Sequence, residues 1–330
     1  MKNKISFLFI LLSPIFSSEG QEIFEQQNDD FVRSLDQTYL KGLLFLQNSQ
    51  GVDGRWTDSS YGSEPGVLGL AILAFLSRGD DPEFGPFSKS LSRAVDQILR
   101  QQNKDTGYIG SSMYNHGFAT LALAEYYGVT NHPDIGPALN KATNLIVSAQ
   151  KTNPKGAWRY SPESKDADTT ITGAQLVALF ASKNAGMQVP DESIAKAKKF
   201  LIECQDEKGG FGYTGNSGAN LPRTAIGSLI LALDKDTDSK EFKASVEYLR
   251  ENARFGDQGH KFYSLYYTSQ AMFRASPEDW DKWNLANVRQ LQATQAENGS
   301  WNGNYGSTFA TSAALLSMAL NYRYLPIYER

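Results

Sequence analysis

A spaced pattern of Gln, Gly and an aromatic residue recurs along this chain and constrains its fold more than any other feature. In five places a Gln is followed four to six positions later by a Gly, and one or two positions after that by an aromatic residue. A sixth glycine, Gly259, fits the same spacing but has no Gln before it and no Trp after it. Successive glycines of the six units lie 40 to 54 residues apart. Such a period indicates repeated supersecondary units. The complete units are Gln50-Gly54-Trp56, Gln102-Gly107-Tyr108, Gln150-Gly156-Trp158, Gln205-Gly210-Phe211 and Gln295-Gly299-Trp301.

Each of these marks separates two segments with different apolar patterns. The segment before the fourth mark, residues 195–202, has lysines on one helical face and apolar residues on the other. The segments after the marks are apolar on almost every side, so they must be buried on every side. They include residues 67–75, 118–124, 175–180 and 225–233. We therefore expect helix pairs whose first member lies outside and whose second member lies inside.

The repeated pairs predict an all-α fold, an α/α toroid of about six helix hairpins. An open array needs polar capping repeats at its ends, but the last inner segment, residues 309–320, is as apolar as the others. A small residue also occupies one equivalent position in each inner segment, which predicts close approach between neighbouring inner helices. These residues are Gly69, Thr120, Gly173, Gly227, Ser269 and Thr311.

The N-terminus has the pattern of a secretory signal peptide. Lys2 and Lys4 precede a short apolar stretch, and Ser18-Glu19-Gly20 offers small residues for cleavage before Gln21. The apolar stretch is short for a membrane span, and an uncleaved anchor is the alternative. We predict a secreted or periplasmic protein without a transmembrane segment after cleavage. The predicted divisions are a signal peptide, an N-terminal lead-in and the toroid, at residues 1–20, 21–37 and 38–330.

Charge and cysteine content limit the partners and the covalent framework. The net charge of −4 gives no basic surface for a polyanion, so we expect no nucleic-acid partner. The single cysteine, Cys204, excludes an internal disulfide framework.

The Gln–Gly–aromatic repeat resembles the QW-type repeat of the squalene cyclase and protein prenyltransferase β-subunit superfamily, over residues 38–322. The resemblance implies a terpenoid cyclase-like toroid, in which the Gln bonds to backbone at a helix end and the aromatic ring stacks over it. Prenyltransferases of this superfamily bind zinc through Asp, Cys and His. Here Cys204 ends an outer helix and only three histidines are present. We therefore expect no metal site and no cofactor.

The cyclase branch of the superfamily has a motif that this chain matches in part. Class II terpene cyclases carry Asp-x-Asp-Asp, whose central Asp protonates an alkene or epoxide, and this chain has Asp166-Ala167-Asp168-Thr169-Thr170. The resemblance implies Asp168 as general acid, with Asp166 beside it, while Thr169 replaces the final acid. His116, on the preceding inner helix, would hold the acid protonated and polarised. Triterpene cyclases also resemble two such domains, and this chain supplies one.

The starts of the inner segments should converge on one mouth of the ring, where free helix N–H groups favour an anionic or carbonyl-bearing ligand. Glu64, Asn115 and Asp168 hold equivalent positions there, three residues before an apolar residue, and Glu64 is a further candidate catalytic residue. Capping of their own helices is the alternative role, because Asp and Asn are good N-caps. The candidate ligand-binding residues are Asn115, Arg223, Tyr263, Tyr266, Tyr267 and Thr308.

Three functions remain open on the sequence. The first is binding of a hydrophobic or isoprenoid small molecule, alone or followed by a cyclase- or isomerase-like reaction that Asp168 starts. The second is a polysaccharide lyase or hydrolase that binds a saccharide, with Glu64 and Asp168 as acid–base pair and Arg223 holding a sugar carboxylate. The third is a non-catalytic scaffold with an envelope protein as partner.

Overall fold

The computed structural model describes residues 19–59, 61–254 and 260–328, with side chains from residue 29 onward. From Thr38 onward the described residues form one compact unit. The predicted signal peptide, except for its last two residues, and the predicted repeat glycine Gly259 lie outside the described residues. The α-helices are α1 Glu19–Ser49, α2 Pro65–Leu76, α3 Ser88–Gln101, α4 Met113–Tyr127, α5 Ile135–Thr152, α6 Thr169–Asn184, α7 Asp191–Glu203, α8 Leu221–Leu233, α9 Lys240–Asn252, α10 Lys261–Ala275, α11 Pro277–Thr294 and α12 Ser307–Ala319, and a 3₁₀ helix spans Pro326–Tyr328.

Even-numbered helices form an inner ring and odd-numbered helices an outer ring, as the apolar patterns predict. All twelve residues of α2 are buried. The outer helix α3 buries only one face, which includes Leu91, Ala94 and Ile98. None of the described helices combines the length and the apolar character that a membrane crossing requires. The all-α toroid fold is confirmed.

The inner ring closes on itself through helices that approach closely. Each inner helix packs against the next, and α12 packs against α2. A Cβ at Gly69 of α2 would lie 2.6 Å from the carbonyl oxygen of Phe118 in α4. A Cβ at Gly173 of α6 would lie 2.1 Å from Cγ2 of Ile226 in α8. At Gly69 and Gly173 the small residue is therefore required by the contact between neighbouring inner helices, whereas a Cβ at Gly227 would meet the Phe211 ring of the preceding turn at 2.6 Å.

The recurring glutamines join each unit to the next by hydrogen bonds. Gln205 Nε2 donates to the Gly209 carbonyl of its own turn at 3.1 Å and to the Glu241 carbonyl of the next outer helix at 2.8 Å. Gln295 makes the same pair across the seam of the ring, where its second acceptor is the Thr38 carbonyl at 3.0 Å. The same two bonds are made by Gln50, Gln102 and Gln150. The indole N–H groups that donate to the preceding outer helix belong to Trp56, Trp158 and Trp301.

The glycine of the fourth unit is Gly209, and its assignment to Gly210 from the sequence is wrong. Gly209 has a φ of 86°, in the left-handed region where a side chain is disfavoured. A Cβ there would also lie 2.2 Å from the Ala244 carbonyl oxygen of the next outer helix. The repeat glycine is thus fixed both by its backbone angle and by the close approach of the next unit.

The aromatic position of the second unit is held by Ile109, and its assignment to Tyr108 is wrong. Ile109 is fully buried and forms a backbone bridge with Gln102, as Phe211 does with its own Gln. The turn after Gln102 is one residue longer than the turn in the first unit, so counting from the Gln alone shifts the position. Shape and burial decide this position, and a β-branched aliphatic residue fills it.

Aromatic side chains cross the centre of the ring. Helices α4 and α10 face each other there, and the rings of Phe118 and Tyr266 meet edge to face with centroids 6.0 Å apart. Tyr267 packs against Tyr266 at 4.7 Å. At the far end of the ring Ile327 is buried, and its carbonyl accepts a hydrogen bond from Arg274 of α10. The centre of the ring is therefore filled by packed aromatic side chains rather than left as an open channel.

Candidate functional site

The inner helices begin at one mouth of the ring, where polar side chains cap three of them. Ser112 caps α4 and Asn220 caps α8, each by accepting one backbone N–H. Asp168 caps α6 more fully, because its Oδ1 accepts the backbone N–H groups of Thr170 and Ile171, both at 2.9 Å, and the Thr170 hydroxyl at 2.6 Å. One carboxyl oxygen of Asp168 thus has the capping role that the sequence left open.

The second carboxyl oxygen of Asp168 has different surroundings. The residue is 0% exposed, and no hydrogen bond reaches Oδ2 from any residue that the structure describes. Arg159 Nε lies 3.9 Å from Oδ2. Burial raises the pKa of the Asp168 carboxyl, against the opposing effects of the Oδ1 hydrogen bonds and of the Arg159 charge. Asp168 therefore holds a proton more tightly than an exposed aspartate does, and Oδ2 is the oxygen available to carry it.

Three side chains that the sequence analysis did not single out lie beside Asp168. The guanidinium of Arg159 pairs with exposed Asp166 at 2.5 Å and lies 5.6 Å and 5.5 Å from the ring centres of Tyr160 and Tyr213. The two tyrosine hydroxyls share a hydrogen bond of 2.5 Å. Asp166 therefore acts on Asp168 only through Arg159, which both carboxyl groups approach.

A signal for the two tyrosines is present in the repeat itself. In the first four units, the position two residues after the buried aliphatic or aromatic residue reaches the mouth, because the chain there leads from the buried turn to the start of the inner helix. Side chains at this position are therefore candidates for the site in those four units, whereas the fifth unit has Gly303 there. The four residues are Asp58, Ser111, Tyr160 and Tyr213, which follow Trp56, Ile109, Trp158 and Phe211.

A chain of hydroxyl groups joins Asp168 to the tyrosines of the ring centre. The Tyr114 hydroxyl donates to Thr170 Oγ1 at 2.6 Å, and Thr170 in turn donates to Asp168 Oδ1. The Tyr114 ring contacts Tyr263 at a centroid distance of 6.5 Å, and Tyr263 contacts Tyr267 at 5.0 Å. Burial raises the pKa of all three tyrosines, so their hydroxyls stay neutral. Tyr263 thus lies one aromatic contact from the hydroxyl chain that ends at Asp168, and Tyr267 and Tyr266 follow it in sequence of contacts.

His116 is buried, and both of its ring nitrogens are engaged with backbone. Nδ1 accepts the N–H of Ile109 at 3.1 Å, and Nε2 donates to a carbonyl of α5 at 3.0 Å. Burial lowers the pKa of His116 to about 4, which keeps the ring neutral. Thr172 and Thr224 hold the same position, four residues after the N-cap, and accept the equivalent N–H in their units. His116 therefore has no ring nitrogen left for Asp168.

Glu64 and Asn115 lie together on the α2–α4 side of the mouth. Asn115 Nδ2 and the Ser111 hydroxyl both donate to Glu64 Oε2, the latter at 3.2 Å. Asn115 Oδ1 accepts the N–H of Gly66, in the first turn of α2, at 3.1 Å. Asn115 is the third residue of its helix, whereas Glu64 and Asp168 are N-caps, so the three positions are not equivalent.

Arg223 and Thr308 lie in the first turns of α8 and α12, on the remaining sides of the mouth. Thr308 of α12 donates from its N–H and its hydroxyl to the two carboxyl oxygens of Asp58, both at 2.8 Å. Arg223 of α8 donates from Nη2 to the Gly218 carbonyl. Its guanidinium lies 5.7 Å from the ring centre of Tyr213, the same ring that Arg159 approaches.

The structure thus places the predicted residues in two groups. Asp168, Arg223 and the tyrosines of α10 belong to the side formed by α6, α8 and α10, while Glu64 and Asn115 form a separate network. A buried carboxyl of raised pKa beside neutral phenols can act as a proton donor to a bound group. Within the described ranges, no group of three His, Cys, Asp or Glu side chains is arranged to hold a metal ion.

A surface depression of about 450 Å³ opens away from the mouth, between the start of α3 and the loop after α4. Lys89, Arg93 and His132 are among its lining residues, and none of the mouth residues is. The depression therefore has no part in the chemistry of Asp168.

The closed ring and its glutamine bridges define an all-helical α/α toroid. Over residues 54–328 the chain matches the family described as a domain of unknown function, DUF6288, and it belongs to that family.

Solved structures of two enzyme kinds share the fold. The type II terpene cyclase MstE from Scytonema, in complex with geranylgeranyl dihydroxybenzoate, is 14% identical, with 90% of this chain and 99% of that chain covered and a TM-score of 0.63. The α-1,6-mannanase GH76A from Salegentibacter sp. HEL1_6 is 10% identical over 86% and 98% of the two chains, with a TM-score of 0.63. A protein from Actinoplanes is 15% identical over 87% and 99%, with a TM-score of 0.59. At these identities the similarity shows the fold alone.

Proposed function

We propose that the protein is an exported toroid that binds a small organic molecule at the mouth of its inner ring and donates a proton to it from Asp168. The proposal rests on the Oδ2 atom of Asp168, which is buried without a hydrogen-bond partner among the described residues and belongs to a carboxyl group of raised pKa. A helix cap gains nothing from this second oxygen, because an unsatisfied buried polar atom costs about 1–3 kcal/mol. Perturbed and costly groups of this kind are typical of functional sites.

The reaction that these groups favour is a cyclase- or isomerase-like protonation of an isoprenoid alkene. The proton moves from Asp168 Oδ2 to an alkene carbon, which leaves a carbocation on the ligand and a carboxylate on Asp168. The hydrogen bonds on Oδ1 stabilise that carboxylate, and tyrosine ring faces stabilise the cation. Loss of a proton from the product cation to Asp168 restores the acid. MstE, whose substrate is geranylgeranyl dihydroxybenzoate, supports this choice by its shared fold.

Thr169 replaces the last acid of the cyclase motif and has a structural task. Its Oγ1 donates to the Gly212 carbonyl at 2.7 Å, and its N–H to the Tyr213 carbonyl at 2.9 Å. These bonds fix the turn that carries Tyr213 against the start of α6. The proton donor of this chain is therefore supported by hydroxyl and backbone groups rather than by a second carboxylate.

A saccharide is the second candidate ligand, and aromatic rings on the rim of the mouth favour it. Tyr61 and Tyr160 are 48% and 47% exposed. The ring of Tyr305 stacks on that of His260 with 9° between the ring planes, and the Tyr305 hydroxyl shares a hydrogen bond of 2.7 Å with His260 Nδ1. Exposed rings with a polar edge suit ligands that are apolar on one face and polar at the rim. The mannanase GH76A shares the fold.

Export is proposed from the N-terminal sequence. Its test is the mass of the protein recovered from the periplasm or the medium of the producing cell. We expect a chain that begins at Gln21. Recovery of the chain with Met1 intact from the cytoplasm would contradict export.

A thermal-shift assay with product analysis tests the proposed reaction, with geranylgeraniol and mannotetraose as probes. We expect geranylgeraniol to raise the melting temperature, because a ligand that binds only the folded state stabilises it. We also expect conversion of geranylgeraniol to an isomer of equal mass but different retention on chromatography. Asp168→Asn should keep the shift and lose the conversion. Asp134→Asn, which changes an exposed N-cap of the outer helix α5, is the matched control and should keep both.

The other outcomes separate the alternatives. A shift with mannotetraose alone would assign the saccharide function. No shift with either probe, together with an Asp168→Ala variant that melts well below the wild type, would leave Asp168 as a helix cap and the toroid as a scaffold. Conversion that survives in Asp168→Asn would refute Asp168 as the proton donor.

A further inference from the structure

Two guanidinium groups lie against one tyrosine ring on the α6–α8 side of the mouth. Their Cζ atoms lie 5.5 Å (Arg159) and 5.7 Å (Arg223) from the ring centre of Tyr213. The Nε atom of Arg223 is buried and has no acceptor among the residues that the structure describes. A buried N–H donor of a cation without an acceptor is costly in a folded protein, so its acceptor is the feature to be sought.

The two arginines differ in their partners, and among the described residues only Arg159 pairs with carboxylates. Arg223 gives its Nη2 hydrogen bond to the Gly218 carbonyl rather than to a carboxylate. Arg159 pairs with Asp166, whose side chain is 60% exposed, and exposed ion pairs are weak and readily exchanged. Asp168 Oδ2 lies 3.9 Å from Arg159 Nε and accepts no hydrogen bond from it. The N-termini of α6 and α8 add positive potential at the same place.

The acidic groups on the opposite side of the mouth are already engaged. Asp58 accepts the N–H and the hydroxyl of Thr308. Glu64 accepts the Asn115 amide and the Ser111 hydroxyl. The mouth is therefore polarised, with two guanidinium groups and the unpartnered Nε of Arg223 on one side and hydrogen-bonded carboxylates on the other.

We propose that the ligand of the mouth carries an oxyanion, a carboxylate or a phosphate, which binds between Arg159 and Arg223. This inference rests on the proposed function and adds the chemical class of the ligand's polar end. Both guanidinium groups offer planar forks of N–H donors that match a carboxylate or phosphate. Tyr213 lies against both forks, so its ring is the group that the oxyanion displaces. The remainder of the ligand then extends toward Tyr114 and the tyrosines of α10, with Asp168 beside it.

Three probes with one hydrocarbon tail test the inference, namely farnesyl phosphate, farnesoic acid and farnesol. Binding to the mature protein is measured by calorimetry at low and high salt. We expect both anionic probes to bind roughly tenfold or more tightly than farnesol, since each charge-assisted contact adds this much, and to lose the advantage at high salt. The relative affinities of farnesyl phosphate and farnesoic acid distinguish the two sources of the oxyanion.

Arginine variants locate the effect. We expect Arg223→Gln and Arg159→Gln to abolish the preference for the anionic probes over farnesol. Arg223→Lys, which keeps the charge and loses the fork, should retain part of the preference. Arg100→Gln, on the exposed face of the outer helix α3, is the matched control and should behave as the wild type. Circular dichroism checks that each variant folds.

Three outcomes overturn the inference and are distinguishable. If farnesol binds as well as the anionic probes, and its binding or conversion depends on Asp168, the oxyanion site is refuted while the proposed function stands. If none of the three probes binds, the oxyanion site and the isoprenoid function fail together. An anion preference that persists in both glutamine variants would place the oxyanion elsewhere and refute the assignment to these arginines.

Discussion

Two substitutions at Asp168 separate its capping role from its proton. Asp168→Ala removes the acceptor of two backbone N–H groups and one hydroxyl at the start of α6. Loss of an N-cap costs about 0.5–2 kcal/mol, and we expect the upper part of this range because three donors lose their partner. Asp168→Asn keeps an oxygen in the Oδ1 position, and Asn caps helices about as well as Asp. We therefore expect Asp168→Asn to unfold at a urea concentration close to that of the wild type or above it.

The dependence on pH gives the sharper test. Burial raises the pKa of the Asp168 carboxyl, so the folded chain binds this proton more tightly than the unfolded chain does. The stabilisation from this proton is complete below the pKa of an unfolded aspartate, about 3.9, and is lost as the pH rises through the raised pKa. Asp168→Asn has no such proton. Its free energy of unfolding, relative to the wild type, should therefore increase with pH across that window.

This difference is measured by urea unfolding followed by tryptophan fluorescence. The measurements are made at several pH values from about 4 to about 8, roughly the window that the linkage argument sets. Asp134→Asn on the outer helix α5 serves as the control. The reasoning is refuted if Asp168→Asn is as unstable as Asp168→Ala. It is equally refuted if the difference between Asp168→Asn and the wild type does not change with pH.

Three further substitutions test the ring and its histidine. Gln295→Glu sets carboxylate oxygens against the two carbonyls that close the ring, so we expect the free energy of unfolding in urea to fall by about 1–3 kcal/mol. Gln290→Glu, at an exposed position of helix α11, is the control and should change it little. Equal unfolding midpoints for the two variants would contradict the bridging role. Gly69→Ala forces a Cβ to within 2.6 Å of a neighbouring carbonyl oxygen and should cost about 1–3 kcal/mol of stability. Gly128→Ala, where the nearest atom is 3.7 Å away, is the control and should cost little. Similar melting temperatures for the two variants would refute the packing argument. The pKa of His116 is lowered from 6.5 to about 4, so its contribution to stability is complete above pH 6.5 and is lost as the pH falls toward 4. His116→Gln should remove this part of the pH dependence of unfolding. An unchanged pH profile in His116→Gln would contradict the role of His116.

The repeat and the toroid follow from the sequence because their signals are local. Whether a helix is apolar on one face or on all faces depends on residues within a few turns, and that pattern separates outer from inner helices. The glutamine step is also local, since each Gln bonds to the turn that follows it. The errors at Gly209 and Ile109 arose where the turn length varies, because spacing along the chain does not reveal which residue adopts a positive φ or which one is buried.

The sequence also indicated Asp168, Arg223 and the tyrosines of α10 as residues of the mouth. It gave no means of choosing between a cap and a proton donor, since both roles use the same carboxyl group. His116 illustrates the same limit. Its position four residues after an N-cap is readable in the sequence, but its two hydrogen bonds to backbone depend on the turn before α4 and on the neighbouring helix α5.

The sequence by itself determined the class of fold, the order of outer and inner helices and the end of the ring at which polar residues gather. Tertiary structure alone decided the chemistry of that end. Arg159 and Tyr213 come from turns of different units, more than 50 residues apart, and meet only because neighbouring hairpins pack side by side. Burial of Oδ2 and the raised pKa of Asp168 result from that packing. The physical reason is that helical periodicity depends on neighbouring residues, whereas solvation of a carboxyl group depends on every side chain that excludes water from it.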